Sequence, residues 1–274
     1  MPVKMPVMIN ILYFCLTLTV SAGDFPLSRA DGFGGAALIS EPTASEIAEL
    51  GLSLPDETKL LIDIGYKREY QLPELDNLYF AGAGRYKKIT ISGGVSQFGD
   101  PELYTEKNYL VGTGCDFKDK NYTALIYKRK VTEFNQLYPA VSTQSLAWSI
   151  SIHFENLYFS WLIETDNNAG ENSSFDFSSY DISFNTGIIS SKIFYTAARI
   201  SIENSGEKQF GIGQQIQLYP ECSILFGYES NPRLIGGGII LTWAEKSISY
   251  TTAFHPVLGF TYTISLQIEL LKKR

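Results

Sequence analysis

The sequence predicts an all-β protein: a transmembrane antiparallel β-barrel of about 14 strands, with 12 strands as the other possible count. Three observations predict it. Strand-length segments carry apolar residues at every second position, the opposite face of these segments is small and uncharged, and the connections between them alternate in length. Alternation with a period of two is the side-chain period of a β-strand, because successive side chains point to opposite faces.

The last segment, from Leu258 to Leu270, shows the alternation most regularly. Its apolar row begins at Leu258 and its polar row runs from Gly259 to Glu269. A strand needs about 9–11 residues to cross a membrane at a tilt, and this segment is long enough. We therefore expect the apolar row to face lipid, the polar row to face the lumen, and the strand to close the barrel against segment 58–68.

Similar segments follow one another along the chain with little room for helix between them. A soluble β-sandwich also alternates, with its apolar face inward. Its solvated face would carry many charges, whereas here charged residues make up 19% of the chain, which favours the barrel. The predicted strands are 58–68, 77–84, 87–97, 108–116, 121–133, 144–153, 157–165, 179–188, 191–202, 208–218, 222–229, 234–243, 247–254 and 258–270.

The connections also indicate an outer-membrane barrel. Four odd-numbered connections are longer (69–76, 98–107, 134–143 and 166–178), while most even-numbered ones are tight. Outer-membrane barrels have short periplasmic turns and longer extracellular loops. An even number of strands then places both ends of the barrel in the periplasm, and the protein in the outer membrane of a bacterium.

The N-terminus predicts export. Lys4 is followed by a nearly unbroken apolar run from Met5 to Val20, and small residues end it at Ala22. This pattern is typical of a cleaved signal peptide. We therefore divide the chain into a signal peptide (1–22), an N-terminal periplasmic or lumen segment (23–56) and an outer-membrane barrel (57–271).

Composition excludes several kinds of site. A net charge of −7 without a basic cluster argues against nucleic-acid binding. Cys115 and Cys222 lie on separate predicted strands and are expected to be free thiols. Two histidines, His153 two residues after Ser151 and His255 before Pro256, predict neither a metal nor a cofactor site. The acidic, Asn-rich stretch 166–179 lacks the spacing of a calcium loop and is interpreted as an outer loop.

Several glycine and aromatic motifs occur along the chain: Gly32-Phe33-Gly34-Gly35-Ala36-Ala37, residues 91–99, Phe210-Gly211-Ile212-Gly213, residues 224–228, residues 234–238, Ser249-Tyr250 and residues 255–261. Gly211 and Gly213 fall on the inward face of a predicted strand, which indicates close packing of backbone or of a hatch.

Together these motifs resemble the PorV/PorQ-type relatives of the FadL outer-membrane transporters. The resemblance implies a fourteen-stranded barrel whose N-terminal segment folds into or under the lumen as a hatch. One departure is Glu41-Pro42-Thr43-Ala44, which stands where that family has Asn-Pro-Ala, so that Pro42 becomes the hatch candidate, and the segment before it is short. Another is the absence of a terminal aromatic residue after Leu270.

The resemblance implies a non-enzymatic barrel with two functions to choose between. The first is a scaffold role in protein secretion or surface attachment, as in the PorV branch, and the shortened hatch favours it. The alternative is FadL-like passage of hydrophobic small molecules. A membrane-embedded lipid hydrolase using His153 and a soluble secreted β-protein are remote alternatives. Expected partners are outer-membrane lipids, secretion or surface proteins, or a hydrophobic solute, with no cofactor and no nucleic acid. The candidate lumen residues are Arg199, Gln215, Gln217 and Glu269.

Overall fold

The computed structural model describes residues 26–27, 29–36, 41–55, 57–117, 121–134, 140–168, 180–191 and 193–272. The predicted signal peptide (1–22) lies outside these residues, as does most of the stretch 166–179. Among the described residues, none of the helices has the length and apolar character needed to cross a membrane.

Fourteen antiparallel strands form one closed barrel, which confirms the predicted fold class and strand number. Each strand pairs with its neighbours in the sequence, and β1 pairs with β14 from Thr58↔Lys272 to Arg68↔Tyr262, as predicted. The strands are β1 (Thr58–Arg68), β2 (Asp76–Tyr86), β3 (Ile89–Asp100), β4 (Tyr104–Phe117), β5 (Asn121–Phe134), β6 (Val141–Phe154), β7 (Leu157–Asn168), β8 (Tyr180–Ile189), β9 (Phe194–Ile202), β10 (Lys208–Tyr219), β11 (Cys222–Ser230), β12 (Arg233–Trp243), β13 (Lys246–His255) and β14 (Gly259–Lys272).

The two faces of the wall differ as the alternation predicts. On β14 the outward side chains Phe260 and Ile264 are each 46% exposed, whereas the inward Thr261, Thr263 and Ser265 are buried. Apolar side chains facing outward are the arrangement that a barrel needs in hydrocarbon, where every backbone group must also be paired within the protein. The turns 87–88, 155–156, 220–221 and 244–245 are tight and lie at the end where β1 begins, which we take as the periplasmic end.

The described residues between Pro26 and Pro55, called the hatch from here on, contain a short 3-10 turn (Ala30–Phe33) and the helix α1 (Ala44–Leu50). Thr43 begins α1 with a capping box, since its hydroxyl accepts from Glu46 N at 3.2 Å while Glu46 Oε2 accepts from Thr43 N at 2.7 Å. Gly51 ends the helix at φ 62°. The substituted stretch after Glu41 therefore supplies a well-capped helix of its own.

Candidate functional site

The hatch lies inside the barrel and contacts most of the wall. Helix α1 packs on the inner face of β1 to β4, and the 3-10 turn packs on the inner face of β10 to β14. Every residue of α1 is buried. The lumen is thus occupied by protein, and a solute that crosses the barrel along its axis has to pass the hatch.

Glycines on the inner face of the wall make room for the 3-10 turn. A Cβ added to Gly227 would lie 2.1 Å from Gly34 N, one at Gly211 would lie 2.1 Å from Gly34 O, and one at Gly236 would lie 1.9 Å from Asp31 O. Gly34 itself has φ 63°, a conformation that side chains disfavour. Gly211, Gly227 and Gly236 therefore line the part of the inner wall on which the hatch packs.

Cationic side chains of the wall hold an acidic hatch. The described hatch has four carboxylates and one basic residue, Arg29. Lys128 of β5 bridges Glu49 of the hatch and Glu164 of β7, with both Nζ–Oε distances at 2.6 Å. All three side chains are less than one-fifth exposed. The hatch carboxylates are Asp31, Glu41, Glu46 and Glu49.

A second ion cluster holds the 3-10 turn. Lys67 Nζ of β1 lies 3.3 Å from Asp31 Oδ1 and 3.1 Å from Glu69 Oε1. Thr263 of β14 donates its hydroxyl to Asp31 Oδ2 at 2.5 Å. Asp31 is therefore held by two strands that meet at the closing seam of the barrel.

Hydrogen bonds to the backbone complete the attachment. Arg85 of β2 donates from Nη2 to Ser53 Oγ at 2.7 Å and to the carbonyl of Leu54. Ser149 of β6 donates to the carbonyl of Gly51 at 2.7 Å. Charge-assisted bonds to a fixed carbonyl position a segment as well as holding it. The end of the hatch that leads into β1 is thus anchored directly after α1.

An apolar patch on the lumen wall lies beneath the hatch. The wall face was expected to be small and polar, and most of it is. In the middle of the barrel, however, large apolar side chains point inward and pack against hatch residues Ile47, Leu50, Leu52 and Leu54. We call these wall residues the apolar patch: Leu61 of β1, Leu110 of β4, Ile126 of β5 and Leu162 of β7.

Two cavities lie on either side of the hatch. One of about 130 Å³ opens at the outer end and is lined by Lys67, Glu69, Arg199 and Glu229, among others. The other, of about 380 Å³, opens at the periplasmic end and is lined by Arg29, Pro42, Lys246, Gln267 and Glu269, among others. The hatch separates these two spaces.

The candidate residues from the sequence are distributed between these places. Arg199 lines the outer cavity and donates from Nη1 to the carbonyl of Gly35 at 3.3 Å. Pro42 and Glu269 line the periplasmic cavity. Gln215 donates to Ser223 Oγ at 3.2 Å and Gln217 donates to the carbonyl of Pro220 at 3.4 Å, so both bond within the wall.

Sequence reasoning missed the ion pairs that hold the hatch. Lys67 and Lys128 lie on predicted strands, at positions of the inward-facing row. A charge at an inward position of a barrel strand needs a partner in the lumen, so the sequence did indicate that each lysine has such a partner. The partners Asp31 and Glu49 could not be assigned, because the path of the hatch does not follow from alternation.

The structure places the described histidines and cysteines at separate points of the barrel wall. Ser151 donates to Ser160 Oγ at 3.3 Å, and His153 packs edge-on against the Tyr158 ring at 4.8 Å between centroids. His255 Nδ1 accepts from the backbone N–H groups of two turn residues, Val257 and Leu258. Cys115 of β4 and Cys222 of β11 are free thiols, as predicted. Within the described ranges, His, Cys, Asp and Glu form no group of three or more that is able to hold a metal ion.

The buried carboxyl of Glu46 affects the attachment of the hatch through its titration. Glu46 is fully buried, and this burial raises its pKa above the ordinary value, an effect that the Arg29 charge opposes in part. A raised pKa means that the docked hatch binds the proton more tightly than the released hatch. The contribution of Glu46 to docking is then most favourable below the ordinary carboxyl pKa, about 4.3, and weakens as pH rises through the raised value.

We expect Glu46→Gln to remove this pH dependence and to tighten docking at neutral pH. Hydrogen–deuterium exchange of the hatch amides between pH 5 and pH 8, referenced to the intrinsic exchange rate at each pH, measures the released fraction. The wild-type fraction should rise with pH, whereas that of the variant should stay low. An equal rise in both proteins would assign the pH dependence to another group.

Comparison with solved structures relates this fold to known proteins. The chain is similar to the toluene transporter TbuX of Ralstonia pickettii, with a TM-score of 0.63 at 8% identity over 92% of this chain and 100% of that one. It is also similar to the toluene transporter TodX of Pseudomonas putida, with a TM-score of 0.59 at 7% identity over 89% of this chain and 96% of that one. The outer membrane protein Omp33 of Acinetobacter baumannii matches with a TM-score of 0.52 at 8% identity, over 78% of this chain and 99% of that one.

No protein-family model matches the sequence, and no curated protein matches it either. The structures reported above belong to transporters and outer-membrane proteins rather than to enzymes. The fold agrees with the predicted location in the bacterial outer membrane. At these identities the likeness concerns the fold alone: this chain has the fold of FadL-type toluene transporters and related outer-membrane barrels.

Proposed function

We propose that this protein passes hydrophobic small molecules across the outer membrane and that the hatch is the gate. The observation that carries the proposal is the apolar patch. Leu61, Leu110, Ile126 and Leu162 point into the lumen, where a purely structural wall needs only small polar residues, and the hatch covers all four. When the hatch moves, this patch becomes a site for an apolar solute, of the kind that binding pockets provide.

The ion pairs fit a gate. The single ammonium group of Lys128 contacts both Glu49 of the hatch and Glu164 of the wall, so the hatch is attached through two ion pairs that share one charge. Two solvent-accessible spaces on opposite sides of one segment are what a closed gate requires. The fold similarity to two toluene transporters supports the same choice.

The scaffold role favoured by the PorV resemblance has less support. None of the similar structures reported above is named as a secretion or surface-attachment protein. The shortened hatch, which suggested that role from the sequence, spans the lumen and contacts most of the wall. We therefore prefer the transport alternative to the scaffold role.

Uptake of radiolabelled toluene tests the proposal. The full chain is expressed in bacteria that lack their own outer-membrane aromatic channels, beside cells with an empty vector. We expect expression to raise the initial uptake rate several-fold. Uptake equal to that of the empty-vector cells, together with recovery of a secretion complex when the protein is purified from intact outer membranes, would overturn the proposal in favour of the scaffold role.

A further inference from the structure

A groove lies on the outer surface of the barrel between β4 and β5. Its volume is about 320 Å³, and it is lined by Tyr109, Val111, Tyr127, Arg129 and Val131. Tyr109 pairs directly with Arg129, and Val111 pairs with Tyr127. These residues alternate with inward residues of the same strands, so the groove faces the membrane.

The groove is amphipathic along its length. Toward the periplasmic end it is apolar, with Val111 62% exposed and Tyr127 38% exposed. Toward the outer end the outward side chains around Val131 are polar, namely Lys107, Glu133 and Ser142. Arg129 lies where the apolar surface gives way to the polar one.

Arg129 is a positive charge without a carboxylate partner in the described part of the chain. Its Nε donates to Ser142 Oγ at 3.2 Å. Two other outward cations of the outer half, by contrast, are neutralised: Arg68 Nε lies 2.6 Å from Asp76 Oδ1, and Lys107 Nζ lies 2.9 Å from Glu133 Oε2. The remaining N–H groups of Arg129 therefore face the surroundings of the barrel.

An arginine on this surface is unfavourable without an anion. An outward arginine destabilises a transmembrane barrel strongly at the midplane and only slightly near the interface. A guanidinium group is also the side chain that matches phosphate oxygens in shape and charge. The position of Arg129 at the boundary of the apolar surface is the depth at which lipid phosphates lie.

We propose that this groove binds a phosphorylated glycolipid of the outer leaflet, of the lipid A type, with its phosphate on Arg129 and an acyl chain along Val111 and Tyr127. Lipid binding at this groove depends on the orientation of the barrel in the membrane and does not depend on transport through the lumen. Such a lipid fixes the depth and rotation of the barrel in the outer leaflet.

Binding of lipid A to the detergent-purified full chain tests this, with native mass spectrometry as the readout. At a fixed lipid A concentration, we expect Arg129→Gln to lower the fraction of protein that carries lipid A. The decrease should correspond to an affinity for lipid A about tenfold weaker than that of wild type. Dephosphorylated lipid A should bind wild type and Arg129→Gln equally weakly. The matched control is Arg68→Gln, an outward arginine already neutralised by Asp76, which should bind like wild type.

A second variant tests the acyl-chain part of the groove. Val111→Trp fills the apolar end while leaving Arg129 in place, and we expect it to weaken binding of lipid A as well. Heat-modifiable gel mobility verifies that each variant is a folded barrel. Equal binding of phosphorylated and dephosphorylated lipid A by wild type, or unchanged binding by both Arg129→Gln and Val111→Trp, would overturn the proposal.

Discussion

Replacing Lys128 with methionine is expected to detach the hatch while the barrel stays closed. The substitution leaves Glu49 and Glu164 facing each other in the lumen without the ammonium group that now lies 2.6 Å from each. Removing one partner of a buried ion pair costs roughly 3–5 kcal/mol, because the remaining charges are neither paired nor solvated. The penalty falls on the docked hatch, since release allows Glu49 to reach water.

Trypsin provides the measurement. Arg29 is the basic residue of the described hatch and is only 7% exposed when the hatch is docked. Cleavage after Arg29 therefore reports the released population, and a penalty of about 3 kcal/mol raises that population by roughly two orders of magnitude. We expect the cleavage rate of Lys128→Met to rise accordingly.

The matched control is Lys130→Met on the same strand. Lys130 contacts Glu106 of the wall at 3.9 Å and makes no ion pair with the described hatch. Its cleavage rate should stay close to that of wild type. If both variants are cleaved at the wild-type rate, the Lys128 bridge does not hold the hatch.

A valine at Gly227 is expected to displace the outer part of the hatch. Its Cβ would lie 2.1 Å from Gly34 N and 2.3 Å from the carbonyl carbon of Phe33, and both neighbours are backbone atoms. A rotamer change of the new side chain cannot relieve a clash of its Cβ with backbone atoms. The 3-10 turn therefore has to move away from the inner face of the wall. The stacking of Phe33 on Tyr195, with centroids 6.0 Å apart, is lost with it.

Conductance in planar bilayers measures this displacement, since the outer and periplasmic cavities become connected. We expect a steady open current for Gly227→Val and short, rare openings for wild type. Gly237→Ala on β12 is the control: its Cβ would meet no closer atom than Leu225 O at 3.6 Å. The Gly227→Val barrel is first shown to be folded by its normal heat-modifiable gel mobility. If its channel is nevertheless closed, the inward glycines are not what keeps the hatch in place.

The barrel itself could be predicted from the sequence because the requirement that forms each strand acts within that strand. Every strand needs an apolar outward row, and this requirement shows directly in the alternation from Leu258 to Leu270 and in the earlier segments. The closing pair of β1 and β14 follows once the number of strands is even. Most errors were small, such as β9 beginning at Phe194 rather than at residue 191.

The hatch could be predicted only in part. Its presence came from the resemblance, and the inward position of Gly211 and Gly213 indicated a close neighbour. The pairing of hatch carboxylates with wall cations depends on the fold of a short segment with one helix. No sequence periodicity predicts the path of this segment through the lumen. The missing Asn-Pro-Ala around Pro42 and the short segment before it suggested a reduced hatch, but the capping box at Thr43 supplies a stable helix by different residues.

A reversible cross-link between hatch and wall tests most directly whether solute passes only when the hatch moves. Ser45 of α1 donates to Asp63 of β1 at 2.6 Å, so cysteines at these two positions lie side by side. The pair is introduced together with Cys115→Ser and Cys222→Ser, the disulfide is verified by mass spectrometry, and Asp63→Cys alone serves as the control. We predict that oxidation reduces toluene uptake to the empty-vector level and that a reductant restores it. Equal uptake by the oxidised and reduced protein would contradict a gating hatch.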